Sequence, residues 1–486
     1  MPVVESPQGA CLFGIARCNI TPPIGIYHRM WGASKHDRST GVHRPLSATA
    51  TVFGDLSAKS RAESTNRVIL VAIDHCLLWQ KEMDDLLAGV TRSAKLPSPQ
   101  LYITFSHTHA AGLMGRERAS LPGGELVGPY LDELAIRIAG AVRQAIKDAE
   151  PAWIVFGQGR CDLATHRDFW DEATQQIVCG FNPGGPADDL VLVARVSSES
   201  TGRTKAVLVN YACHPTSLGW QNTLISPDYP GAMREVVEQV VQAPCVFLQG
   251  ASGDLGPREA YSDDPEVADR NGRHLGYAAI SATEALPPAK TSFAYSGAVV
   301  SGATLGTWRH VPMEHQREQA CRRWRMRNWN IRLPLRKDLP SAEETRSELE
   351  EWRSREESAH ARGDLAAASD CRAQVERMTR RLVKLAELPA DGQFDLPLTL
   401  WQTGDAFWLS LEAEYYHWFQ RELRDRHADT PIMIATLTNG WRPSYLPPAD
   451  VYGRDIYQEQ VSLLAPGALE RVLEEVDAAI STWCDH

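Results

Sequence analysis

Thr104-Phe105-Ser106-His107-Thr108-His109-Ala110-Ala111-Gly112 is the segment that sets the fold and the chemistry of this chain. The residues leading into it, Gln100 to Phe105, form a short apolar run that predicts a strand. His107 and His109 follow two residues apart on extended backbone, which turns both side chains to one side where a strand gives way to a loop. One imidazole there can hold a metal while the other meets a substrate. A His-x-His pair alone fits a structural or surface role as well, so a second site of the same kind is needed.

Asn210-Tyr211-Ala212-Cys213-His214-Pro215-Thr216-Ser217 supplies it. A β-rich run, Ala206 to Tyr211, again closes on a histidine followed by hydroxyls, and Pro215 restricts the backbone directly after it. Two strands that each end in histidine offer what a tetrahedral zinc site takes, although His214 read by itself is equally a satisfied core histidine. A third stretch, Phe247-Leu-Gln-Gly250-Ala-Ser252-Gly253-Asp254-Leu-Gly256-Pro-Arg258, runs from a strand into a glycine-rich loop. Such glycines let backbone approach a ligand closely, which makes Gly253 and Asp254 candidate substrate-binding residues. The loop lacks both the Gly-Lys-Ser/Thr ending of a P-loop and the three-glycine dinucleotide spacing, and Ser252 is not framed as a nucleophile elbow, so nucleotide binding and serine-hydrolase chemistry are disfavoured. Further on, Glu412, Glu414 and Tyr445 follow apolar runs, where a carboxylate or phenol is costly to bury unless it coordinates something or joins a bonded network.

Around these segments the chain has an α/β rhythm. Strand-like runs at Arg67 to Asp74, Ala152 to Phe156 and Leu190 to Val196 alternate with amphipathic helices at Glu125 to Ala149, Tyr229 to Val241 and Pro265 to Ala285. From His310 to about Pro389 the composition shifts to Arg, Glu, Ala and Leu. A capping box at Ser341-Ala-Glu-Glu and a break at Arg362-Gly363-Asp364 predict an inserted, charged helical hairpin, with Glu343, Glu350, Arg353 and Glu357 on a solvated face. Strand patterning resumes at Leu396 to Ser410 and Ile432 to Leu437, so the tail is expected to rejoin the main sheet before a last helix from Gly467 to Trp483. Trp170, Trp220, Trp308 and Trp401 are assigned to core packing ahead of cleft lining.

The formal net charge of -11 disfavours a phosphate backbone or an anionic membrane as partner, and no stretch is apolar for long enough to span a bilayer. The first ten residues have neither a basic nor an apolar signal region, and the ten cysteines include no Cys-x-x-Cys pair. Buried thiols in a cytoplasmic protein are the expectation.

Taken together, the motifs resemble the catalytic domain of the neutral/alkaline (non-lysosomal) ceramidase family, zinc-dependent amidases of N-acyl sphingosine. The resemblance covers most of the chain and rests on Gly14-Ile-Ala-Arg-Cys-Asn-Ile-Thr-Pro-Pro, Ser106-His-Thr-His109, Asn182-Pro-Gly-Gly-Pro-Ala-Asp188, His214-Pro-Thr-Ser217, Ser226-Pro-Asp228-Tyr-Pro-Gly and Gly253-Asp254. It implies one α/β, mixed-sheet zinc-hydrolase catalytic domain over residues 1–486, with the hairpin of 310–389 inserted; the family's C-terminal immunoglobulin-like domain is a departure, not expected in this chain. It further implies one Zn2+ per chain on His107, His214, Glu414 and Tyr445, with Glu412 a rival to Glu414, and Trp441 standing where the family has the first aromatic of an Asn-x-Tyr-x-x-Tyr stretch. His109, Tyr457 and Arg167 match catalytic positions that steady the oxyanion when a zinc-bound water attacks an N-acyl amide. Glu412 and Asp254 are both open as proton shuttle. An ester or lactone hydrolase with the same zinc site, and a non-catalytic ligand-binding homologue, are the alternatives; the complete set of two His, one Glu and one Tyr disfavours the second. Glycine at 250 and 256, where the family's ceramidases carry serine, implies a small-molecule amide or ester that is smaller or more polar than ceramide. Whether the hairpin covers the site or joins copies in a homo-oligomer stays open.

Overall fold

The computed structural model describes residues 2–57, 66–96 and 101–484; Gln100, included in one predicted strand, lies outside them. Eight strands carry the site: β1 (Gln8–Asn19), β2 (Ser47–Gly54), β3 (Arg67–Ile73), β4 (Leu101–Phe105), β5 (Glu150–Arg160), β6 (Leu190–Ser198), β7 (Thr204–Tyr211) and β8 (Cys245–Gln249). They form one mixed sheet in the order β8-β7-β6-β5-β1-β2-β3-β4. The inner pairings are antiparallel, and the two outermost pairs, β3 with β4 and β7 with β8, are parallel. Each parallel pair needs a crossover, supplied by α1 (Gln80–Ala94) and by α3 (Tyr229–Val241). Residues of α2 (Val127–Lys147) join one core cluster with β2, β3 and β4, and α4 (Pro265–Glu284) joins another with β6 and β7.

His107 and His214 lie just beyond the C-terminal ends of β4 and β7. Those strands are six spacings apart in the sheet order, which in a flat sheet would be about 29 Å. Their rings are nevertheless 4.9 Å apart. The sheet curls until β8 packs against β3 and β4, and a second sheet closes the gap. Its strands, Trp324–Pro334, Gln393–Thr403, Ala406–Leu411 and Ile432–Ala435, pair in that order. Directly after the last of them, Thr436 N donates to Gln249 O (3.0 Å), and Asn439 N donates to Ile103 O (2.8 Å). The Asn439 side chain accepts from Ile103 N (2.7 Å) as well. One segment thus ties both edges of the main sheet together. The concave face behind it is filled by Trp401 and Trp408, stacked at 5.8 Å, with Phe53 at 5.0 Å from Trp408. Truncating a ring buried in this way costs about 3–5 kcal/mol in other cores.

Several expectations are corrected. The tail does not rejoin the main sheet, because its strands pair with one another and the edges of the main sheet are taken by the segment just described. The helical insertion is shorter than residues 310–389: Ala303–Pro312 belongs to a β-hairpin and Trp324–Pro334 is an edge strand. That strand exposes Arg327 and Arg332 while burying Ile331 and Leu333, a charged edge whose composition mimics a solvated helix. The helices proper are α5 (Ala342–Ala361), opened by the Ser341 and Glu344 capping box, and α6 (Leu365–Ala386), with Gly363 at φ 72° in the turn between them. Of the four tryptophans assigned to the core only Trp401 is there; Trp170, Trp220 and Trp308 are exposed. Six of the ten cysteines are buried, but Cys18, Cys179 and Cys371 are only half-buried and Cys484, at the end of the last helix, is exposed. No helix among the described residues is long and apolar enough to cross a membrane.

Candidate metal centre and active site

Beyond β4 the backbone turns sharply: His107 takes φ 68°, a left-handed conformation that costs a non-glycine residue about 1–3 kcal/mol and persists only where its surroundings hold it. Its amide donates to His75 O (2.9 Å), and its Nδ1–H donates to Cys76 O (2.8 Å) at the end of β3. His214 is fixed in the same manner from the other side. Its Nδ1–H is shared between Ser252 O (2.7 Å) and Leu255 O (3.0 Å), carbonyls of the glycine-rich loop after β8. Both rings therefore turn Nε2, with its lone pair, toward a common point. Backbone anchoring of the remote nitrogen is what fixes tautomer and orientation in metal-ligating histidines.

Glu414 reaches the same point. The two-residue strand Glu414–Tyr415 pairs in parallel with Tyr445–Leu446, which places Glu414 opposite Tyr445. Glu414 Oε2 is 2.9 Å from His214 Nε2 and 3.3 Å from His107 Nε2, and Tyr445 OH is 3.4 Å from His214 Nε2. Ala413, at φ 73°, separates Glu414 from Glu412. Glu412 stays outside the cluster beside Gly440, its carboxyl pushed up to about 8 by burial that Arg442 only partly offsets. The geometry thus favours Glu414 over its rival.

The residues present fit a cation. The Nδ1–H of each imidazole is committed to a backbone carbonyl, so a neutral ring turns only its Nε2 lone pair toward Glu414, and Glu414 Oε2 is buried without a hydrogen-bond partner. Its other oxygen, Oε1, accepts from Trp441 Nε1–H at 2.5 Å. Ligand atoms about 2 Å from a tetrahedral zinc lie roughly 3.3 Å from one another, in line with these separations. The electrostatics agree. Burial would raise the Glu414 pKa, but His107 and His214 hold it well below the carboxylate range. Burial pushes His214 down to about 4, and burial together with His107 and His214 holds His109 well below its ordinary value. For His107 burial is outweighed by Cys76 and Glu414, which lift it, so without a metal a proton on its Nε2 supplies the positive charge that the centre draws.

A cavity of about 530 Å³ opens on this cluster. His107, His109, Glu414, Tyr445, Arg167 and Tyr457 all line it, so the structure brings together nearly all the site residues expected from the sequence. His109 packs against Trp31, ring centres 4.9 Å apart. The Arg167 guanidinium lies 5.4 Å from the Tyr445 ring and donates to Gly253 O (2.6 Å), and the Tyr457 ring is 5.9 Å from that of Tyr445. Gly253 and Asp254 do not line the cavity, contrary to expectation. Their loop folds inward, spending its carbonyls on Arg167 and His214, and a Cβ at Gly253 would meet Tyr415 O at 2.9 Å. The Asp254 carboxylate instead accepts from His417 N (2.8 Å) and His417 Nδ1–H (2.5 Å). Neither open candidate for the proton shuttle, Glu412 or Asp254, reaches the cavity. Gly250 and Gly256 do not line it either: a Cβ at Gly250 would meet Gln420 Oε1 at 2.8 Å, while one at Gly256 would lie 3.8 Å from Oγ1 of the lining residue Thr216.

Sequence reasoning missed Cys76, Trp31, Trp79 and the inner face of α6, which all line the cavity. The position of Cys76 just past a strand parallel to β4 was a usable signal. Among the described residues Cys76, His107 and His109 form a second metal-capable group, but His107 Nδ1 on that side is engaged by Cys76 O.

The family described as neutral/alkaline non-lysosomal ceramidase, N-terminal, matches residues 11–258. His107 and His214 fall inside the match, Glu414 and Tyr445 beyond it. No curated protein matches the chain by sequence. The chain shares its fold with neutral ceramidase from Pseudomonas aeruginosa (TM-score 0.63, 16% identity, 98% of this chain and 75% of that one). It is likewise similar to a ceramidase complexed with C2 (TM-score 0.62, 15% identity, 98% and 76%).

Proposed function

This chain belongs to the neutral/alkaline non-lysosomal ceramidase family, and on that premise we propose that it hydrolyses the carbon–nitrogen bond of an N-acyl amide with one zinc ion per chain. The observation that carries the reading is the convergence of His107 Nε2, His214 Nε2 and Glu414 Oε2, three buried atoms that can each ligate a metal, beside the Tyr445 hydroxyl. Zinc held by these four groups would polarise the acyl carbonyl and acidify a water toward neutral pH.

The remaining work falls to the cavity wall. Arg167, pinned by Gly253 O, and the Tyr457 hydroxyl stand beside Tyr445 as donors to the developing oxyanion, and one such donor is worth roughly 3–4 kcal/mol elsewhere. His109 is the one imidazole of the centre not anchored to a carbonyl; its Nδ1 has no partner. It is the group placed to hydrogen-bond the reacting substrate and to pass a proton to the departing nitrogen. The test is metal analysis of the wild type beside His107→Ala and His214→Ala, with a screen of N-acyl amides and the matching esters. Near one zinc per chain, lost in both variants together with amide cleavage, is expected. A wild type that binds no zinc, or variants that keep full activity, would overturn the reading.

A further inference from the structure

One wall of the cavity is made by α6, and its chemistry is one-sided. Ala373, Arg377, Arg380, Arg381 and Lys384 face the cavity at helical spacing. With Arg167 the lining holds five cations against two carboxylates, Glu376 and Glu414, in a chain whose net charge is -11. Glu376 is neutralised from behind by Arg118 (3.2 Å) and Arg372 (3.5 Å), and Arg381 is paired with Glu348 (3.2 Å). Arg377, Arg380 and Lys384 have no carboxylate at ion-pair distance among the described residues. Each donates to a neutral acceptor, Gln460 Oε1 (2.7 Å), Met30 O (2.5 Å) and Val461 O (3.1 Å), and Lys384 Nζ also lies 5.4 Å from the centre of the Trp441 ring. The Arg380 Nε–H is buried without a partner. Arg380 shares the field of Glu376 one turn away, but that single carboxylate is also held by Arg118 and Arg372, so the three cations leave this face of the cavity net positive and short of an anion. Burial and the neighbouring arginines press Lys384 down to about 7, so it is about half charged at neutral pH and takes up its full charge as an anion enters.

We propose that α6 is the specificity wall of the site and that the substrate is an amide bearing an anionic group, a carboxylate in the first instance, which Arg377, Arg380 and Lys384 receive while the scissile carbonyl lies at the zinc cluster. The proposal rests on the amidase reading for the reaction but not for the binding. An uncharged lipid amide would leave the three cations desolvated and unpaired beneath it, a penalty that falls on the wrong substrate and so gives discrimination. Guanidinium groups suit a carboxylate because they can present two parallel N–H donors.

The experiment compares N-octanoylglycine with N-isobutyl octanamide, in which an uncharged branched group of similar shape replaces the carboxylate. Binding is measured by titration calorimetry on chelator-treated protein, so that neither a bound metal nor turnover accounts for a preference. The carboxylate is expected to bind at least about tenfold tighter, since the apolar isostere would be preferred in an aromatic cavity without the cationic wall. The gap should narrow between about 0.02 and about 0.5 M salt and close in Arg377→Gln/Lys384→Met. Arg377→Gln alone, at an exposed position, should close part of it and guards against misfolding of the double variant. Equal binding of the two compounds, no binding of either, or a gap that both variants leave intact overturns the proposal. Turnover on the as-purified enzyme separates the two readings. Preferential anion binding with neither amide cleaved removes the amidase and keeps the wall; cleavage of both with equal kcat/KM removes the wall and keeps the amidase.

Discussion

Trp441→Phe isolates the support that Glu414 receives from outside the proposed metal centre. The indole Nε1–H donates to Glu414 Oε1 at 2.5 Å, leaving Oε2 aimed at the two imidazoles. A hydrogen bond to an ionised carboxylate is worth about 1.5–3 kcal/mol, and loss of such an outer partner lowers metal affinity by about tenfold to a hundredfold elsewhere. Phenylalanine keeps an aromatic ring against Trp79, now 5.7 Å away, and under the Lys384 ammonium, so packing is largely retained. The zinc Kd of Trp441→Phe, read by competition with a chelator of known affinity, is therefore expected to rise by about one to two orders of magnitude. Thermal melts in excess chelator report any cost to folding by itself. The variant is then repeated in a Glu414→Gln background, where the indole no longer meets an ionised oxygen and its removal should change little. An unchanged Kd in Trp441→Phe, or the same loss in both backgrounds, would refute the role of Glu414 in holding the metal.

Two further outcomes concern the frame of the site. Arg234 on α3 is buried and holds Asp74, just past β3, through two bonds of 2.9 and 2.6 Å; Arg234→Met leaves that buried carboxylate without a counter-charge, bonded only by Ser47 N and Oγ, and should cost about 3 kcal/mol in urea unfolding. The buried His417–Asp254 pair sets a pH signature: despite burial, Asp254 raises the His417 pKa above 6.5, and despite burial His417 holds Asp254 below 3.8. The histidine contribution is complete below 6.5 and fades as pH rises through its raised value; that of Asp254 is complete above 3.8 and is lost as pH falls through its depressed value. The stability gap between wild type and His417→Asn should thus be widest between these limits and shrink at alkaline pH, and a gap that is flat from pH 5 to pH 9 would contradict the pairing.

The primary structure by itself determined which residues can do this chemistry. Strands ending in His107 and His214, the helices Tyr229–Val241 and Pro265–Glu284, and the capping box at Ser341 are local features, written in patterns of a few residues, and they were legible for that reason. The helical hairpin was legible too, but not its start, because an arginine-rich edge strand and a solvated helix expose the same residue types. What only the tertiary structure decided is convergence. Strand order is not encoded in any one strand, and in a flat sheet the two histidines would lie about 29 Å apart; the curl of the sheet and the Thr436–Asn439 segment across its edges bring them to 4.9 Å. The choice of Glu414 over Glu412 required the left-handed turn at Ala413, and the inward fold of the loop that removed Asp254 from the cavity likewise depends on partners more than a hundred residues away. The same holds for the cations of α6: as a sequence they read as one more solvated helix face, and packing alone turned that face toward the site.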